Sequence, residues 1–174
     1  MKKILILLVA FATLVACQNK VRYTQKSAEI ETYKKSIKDY EMANWESMAT
    51  HYADTAKIMN NVTKKNGISV AQNIELNKKD ISVLSTYGFV ADESEYEMVE
   101  TDKGETWVNF WGLWQGRLKA TDELFEIPVH LTARFINGKI VSEYGYWDNT
   151  ALVMALMKLE EKTPTVEPVA TTKE

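Results

Sequence analysis

The stretch Arg134-Phe135-Ile136-Asn137-Gly138-Lys139-Ile140-Val141-Ser142-Glu143-Tyr144-Gly145-Tyr146-Trp147-Asp148 decides the fold. Asn137-Gly138 is the best hairpin turn in the chain, because both residues tolerate positive φ. The flanking runs, Leu124 to Ile136 and Lys139 to Trp147, alternate with a period of two and are rich in aromatic and β-branched residues, so they read as paired antiparallel strands. A two-residue turn sets the register. Ile136 opposes Lys139, Arg134 faces Val141, Thr132 faces Glu143 and His130 faces Gly145. Side chains alternate between faces. His130, Thr132, Arg134, Glu143 and Trp147 then share one face; Val129, Leu131, Ala133, Phe135, Tyr144 and Tyr146 share the other.

Working outward, Thr106 to Arg117 is a long strand dense in Trp107, Phe110, Trp111 and Trp114. A loop at Thr121-Asp122 that pairs Lys119 with Leu124 sets Leu113 against His130, Trp111 against Thr132 and Asn109 against Arg134. The mixed face gains Trp107, Asn109, Trp111 and Leu113; the apolar face gains Val108, Phe110 and Trp114. Glu95 to Val99 and Ala56 to Asn60 are short strands. Ile30, Tyr33, Ile37, Tyr40, Asn44, Met48 and Tyr52 step by three or four, which predicts one helix over 28–52 with Ser27 as its cap. Val70 to Tyr87 reads as a second helix stopped at Gly88, and Asp148-Asn149-Thr150 caps a last one over 151–159. Helices first and strands later indicate an α+β domain rather than a wound parallel sheet.

The chain has 174 residues with 45% hydrophobic and 26% charged residues, enough for a single buried core. A net charge of −3 argues against a nucleic-acid partner. One Cys and two His leave no disulfide framework and no Cys- or His-rich metal site. No cofactor motif is present. Lys2-Lys3 followed by an uncharged run from Ile4 to Ala16 is too short to span a bilayer and fits a secretory leader. Residues 17–27 read as a polar tether, 28–161 as the domain and 162–174 as a disordered tail rich in Pro and Thr.

Leu14-Val15-Ala16-Cys17 resembles the lipobox of bacterial lipoproteins. The resemblance implies removal of residues 1–16, lipidation of Cys17 and stable membrane anchoring by several acyl chains. Gln18, where an Asp is the usual inner-membrane signal, implies delivery to the periplasmic side of the outer membrane.

Asn44-Trp45-Glu46-Ser47-Met48-Ala49-Thr50-His51-Tyr52-Ala53-Asp54-Thr55-Ala56 resembles the helix-to-strand passage of the NTF2-like superfamily in its SnoaL-like branch, and the stretch from Arg134 to Asp148 resembles that family's closing hairpin. The resemblance covers about Ile30 to Leu156. It implies an NTF2-like cone, a curved antiparallel sheet wrapped around N-terminal helices with an internal pocket. It also implies that the mixed face lines that pocket, and that such domains often form a homodimer through the sheet.

On this reading Tyr52, Trp107, Asn109, Trp111, Thr132, Glu143 and Trp147 bind a small, largely apolar molecule, since aromatics beside a few polar groups suit a ligand pocket. The competing reading is an acid–base enzyme of the polyketide-cyclase or ketosteroid-isomerase kind. It takes His130 as base, Glu143 within diagonal reach, and Tyr33, Tyr40 or Tyr52 as the donor. Its requirement is that His130 points into the cone. The limonene-epoxide-hydrolase type of chemistry is ruled against, because His130, Thr132 and Gly145 stand where that type has its reacting Arg and two Asp. The third reading is a structural dimerisation domain with an apolar patch at Phe110, Trp114, Leu131 and Phe135. The plainer roles are an ion pair between Glu143 and Arg134, caps at Asp54 and Asp148, an exposed His51, and sheet packing for Tyr144 and Tyr146.

Overall fold

The computed structural model describes residues 22–162. The expected leader over residues 1–16, Cys17, Gln18 and the residues beyond Lys162 lie outside the described residues.

Helix α1 spans Ala28–Glu41, and the Ser27 side chain caps it by accepting from the Ile30 N–H at 3.1 Å. The single helix expected over 28–52 is broken. Ala43 adopts a left-handed φ of 53°, and a separate helix α2 runs Trp45–Thr50. The break is tied from the side. The Asp39 carboxylate accepts from Ser47 Oγ at 2.7 Å and from Asn44 Nδ2 at 3.2 Å, and His51 Nε2 lies 2.8 Å from it. His51 is therefore largely covered, against the expected exposure. A straight helix could not bring these three residues back onto Asp39.

Strand β2, Tyr52–Asn60, follows, with Asp54 exposed inside it rather than capping a junction. Helix α3, Val70–Ser82, begins with a capping box between Ser69 and Gln72. It stops short of the expected Tyr87, because Leu84–Phe89 is drawn into a strand, β3, against the long strand β5. Gly88 sits within that strand. The remaining strands are β4 (Glu95–Glu100), β5 (Thr106–Leu118), β6 (Leu124–Ile136) and β7 (Lys139–Trp147), preceded by a two-residue β1 (Tyr23–Thr24). Helix α4, Thr150–Lys162, closes the described chain, and Asp148 Oδ1 accepts from the Thr150 N–H at 2.9 Å near its start.

The sheet order is β1-β4-β5-β6-β7-β2, with β3 also on β5; these neighbours pair antiparallel except β2 and β7, which are parallel. The sheet is curved and unclosed. The fold is the expected α+β arrangement, and Asn137 (φ 50°) and Gly138 (φ 74°) make the expected turn.

Two registers differ from expectation. Between β5 and β6, Arg117 rather than Lys119 pairs with Leu124, a shift of two residues that leaves each side chain on its expected face. Arg117 Nη1 donates across this loop to the Asp122 carbonyl at 2.6 Å. Between β6 and β7 the register slips by one after the turn. Ile136 pairs with Lys139 and Phe135 with Ile140, but Arg134 pairs with Ser142, so Val141 is a bulge. A one-residue slip exchanges the faces of everything beyond it. Glu143, Gly145 and Trp147 join the face of Ala133, Leu131 and Val129, while Tyr144 and Tyr146 join that of Thr132 and His130.

The apolar face turns inward. Val108, Phe110, Leu131, Ala133 and Phe135 are buried with Ile30 and Tyr33 of α1, and the Tyr33 and Phe135 rings meet edge to face at 6.3 Å. A second cluster of Leu84, Trp114, Leu118, Phe125 and Ile127 lies under Leu152, Leu156 and Leu159 of α4. The expectation that the mixed face lines the cone is overturned. Burying the apolar face removes more hydrocarbon from water, and the hydrophobic term decides the orientation. The expected dimer patch at Phe110, Trp114, Leu131 and Phe135 is core. No helix among the described residues is long and apolar enough to cross a membrane.

Candidate functional site

The bulge at Val141 turns an acid into the interior. Glu143 is 5% exposed, and its carboxylate Oε2 accepts two hydrogen bonds, from the Tyr33 hydroxyl at 2.8 Å and the Tyr52 hydroxyl at 3.0 Å. Tyr33 comes from the middle of α1 and Tyr52 from the first position of β2, so the helix and the far edge of the sheet converge on one carboxyl. Ser36, one turn on from Tyr33, places its Oγ 3.5 Å from the Tyr52 hydroxyl. Oε1 of Glu143 receives none of these bonds. No Lys, Arg or His pairs with Glu143 among the described residues. Arg134, its expected partner, instead meets Glu105 on the outer face at 3.1 Å.

The electrostatics follow from burial. Loss of water raises the Glu143 pKa above the ordinary 4.5, against the lowering effect of the two hydroxyl bonds. Burial first, and then the neighbouring Glu143 charge, hold Tyr33 and Tyr52 well above the ordinary phenol range. Both phenols remain protonated donors at any physiological pH.

Three aromatic rings of the inner face lie flat along their strands. A Cβ on Gly145 would fall 2.5 Å from the Trp147 ring, one on Gly112 2.4 Å from the Phe110 ring, and one on Gly116 2.1 Å from the Trp114 ring. In each case a ring folds along its own strand over a glycine two residues away. Beside Gly145 stands Asn60, whose Nδ2 donates to Asn73 Oδ1 at 3.2 Å and whose Oδ1 is buried without a donor. Farther along, Trp114 Nε1 donates to the Tyr40 hydroxyl at 3.1 Å.

Of the residues selected from the sequence, Tyr52, Glu143 and Trp147 lie on this inner side. Trp107, Asn109, Trp111 and Thr132 lie on the outer one, with Trp111 42% exposed. His130 is also outside. Its Nδ1 lies 3.1 Å from the Phe110 carbonyl, and its ring stacks between Trp111 (4.9 Å) and Tyr146 (6.3 Å). It cannot serve the interior carboxyl as a base, and the requirement that it point into the cone is not met. The outer rings border a shallow groove of about 370 Å³ that includes Glu93, Leu113 and Pro128. Asn60 and Asn73 were not selected from the sequence; nothing in their spacing sets them apart from turn and helix asparagines.

Comparison with protein-family models and with curated proteins finds no match. Solved structures do match in fold. A protein of ketosteroid isomerase-like fold from Catenulispora acidiphila, solved in complex with trimethylamine, aligns with a TM-score of 0.56 at 12% identity over 77% of this chain and 98% of its own. An NTF2-like protein from Burkholderia xenovorans gives 0.57 at 16% identity over 76% and 98%. A candidate SnoaL-like polyketide cyclase from Shewanella denitrificans gives 0.56 at 13% identity over 76% and 99%. The chain therefore has the NTF2-like fold.

Proposed function

We propose that this domain is a lipid-anchored binding module that takes a small, largely apolar molecule inside its NTF2-like cone, with Glu143 as the polar anchor. One observation carries the reading: a buried carboxyl with one oxygen held by two tyrosines and no cation paired with it among the described residues. Burying an acid without a cation costs free energy that an apolar residue would avoid. A buried acid with a perturbed pKa and a specific set of partners is a candidate functional group. Tyr52 and Trp147 contribute the wall, and Trp107, Asn109, Trp111 and Thr132 take no part in it. Native mass spectrometry of protein purified from its host tests this. Wild-type protein carries an added small-molecule mass that Glu143→Gln loses, whereas a bare chain in every preparation contradicts it.

A second reading is favoured by the same carboxyl. Glu143, with a raised pKa and one carboxylate oxygen not bonded to the two phenols, places a proton acceptor in an apolar interior, as the base step of cyclase or isomerase chemistry requires. In this reading Glu143 takes the role first given to His130. Exchange of the α-protons of an enolisable ketone in heavy water, followed by NMR, decides it: no exchange above the buffer rate leaves binding alone.

A further inference from the structure

The interior is short of donors, and that shortage points to the chemistry of its occupant. Glu143 Oε2 is satisfied by Tyr33 and Tyr52, while Oε1 has no partner among the described residues. Asn60 Oδ1, next to Gly145 on the same inner face, is buried and also without a donor. Arg134, the cation expected to pair with Glu143, lies on the outer face and pairs with Glu105. The surrounding surface is made of the Tyr33 and Tyr52 rings and the Trp147 ring laid over Gly145.

We infer that the ligand is a small organic amine bound as its ammonium, with an N–H donating to Glu143 Oε1 and its apolar substituents against Trp147 and the tyrosine rings. This rests on the interior being the binding site. An ammonium supplies the missing counter-charge and a charge-assisted hydrogen bond at once. Its second N–H has Asn60 Oδ1 as an available acceptor. Aromatic faces favour a desolvated cation. A neutral alcohol of the same shape satisfies one acceptor and leaves the charge unmatched, and a carboxylic acid brings a second negative charge to Glu143.

Three probes with one apolar body separate these cases: cyclohexylamine, cyclohexanol and cyclohexanecarboxylate, each titrated into the detergent-solubilised full-length protein and followed by tryptophan fluorescence. The amine is expected to bind about tenfold or more tighter than the alcohol, with no detectable binding of the carboxylate. In Glu143→Gln the amine and the alcohol converge. An alcohol that binds as tightly as the amine to the wild type, or an amine preference that survives Glu143→Gln, overturns the inference while leaving the interior site standing. No binding of any of the three overturns the interior site itself. The ranking in the wild type suffices where the variant does not fold.

Discussion

Glu143 and its two tyrosines form a unit whose protonation is linked to folding. Burial raises the Glu143 pKa above its ordinary 4.5, so the folded chain keeps this proton to higher pH than the unfolded chain does. The group's contribution is fully present below 4.5 and is lost as pH rises through the raised folded value. Urea unfolding across that window is therefore expected to show wild-type stability falling with pH relative to Glu143→Gln; parallel profiles would contradict it. Tyr52→Phe removes one donor from a buried acceptor and is expected to cost roughly 1–3 kcal/mol, while pushing the Glu143 titration still higher. Tyr33 was legible in the sequence as a helix-face donor because a three-to-four spacing is set locally, whereas Tyr52, counted on the same stripe, opens β2 instead. Which strand face carried the acid was not legible, since one unpaired residue at Val141 reverses it and no residue type announces that bulge.

Among the elements, the closing hairpin was the most legible part. Asn137-Gly138 fixes a turn that needs two positive φ values, and the period of two in β6 and β7 marks both strands to the residue. The break between α1 and α2 was hidden because the three-to-four spacing of the stripe continues through Asn44; the Asp39 cluster holds the bend. β3 was hidden because Leu84–Phe89 continues an apolar pattern that suits either period, and pairing with β5 settles it. The glycines under the aromatic rings give a test at this scale. Gly145→Ala would set a Cβ within 3.0 Å of Asn60, Trp147 and Leu131, and lifting the ring from the strand is expected to cost about 1–3 kcal/mol. Thermal or urea unfolding checks this, and an unchanged midpoint would mean that the ring moves freely.

For the molecule as a whole, the inward turn of the apolar face divides the sheet into a core side and an outer side. Phe110→Ala is expected to cost about 3–5 kcal/mol without changing the oligomeric state. Trp111→Ala on the outer face is expected to stay within about 0.5 kcal/mol in a monomer. A homodimer through the sheet, if the chain forms one, has only the outer face to use. Membrane attachment tests the other end of the chain: Cys17→Ser should move the protein from the membrane pellet to the soluble fraction, and an unchanged pellet would contradict lipidation at that residue. The account rests above all on the interior as the place of binding. Amide chemical-shift mapping during titration with a ligand that binds tests this most directly. The shifts should gather at Tyr33, Tyr52, Glu143 and Trp147 and leave Trp111, His130 and Tyr146 still; shifts confined to those three outer residues would contradict it.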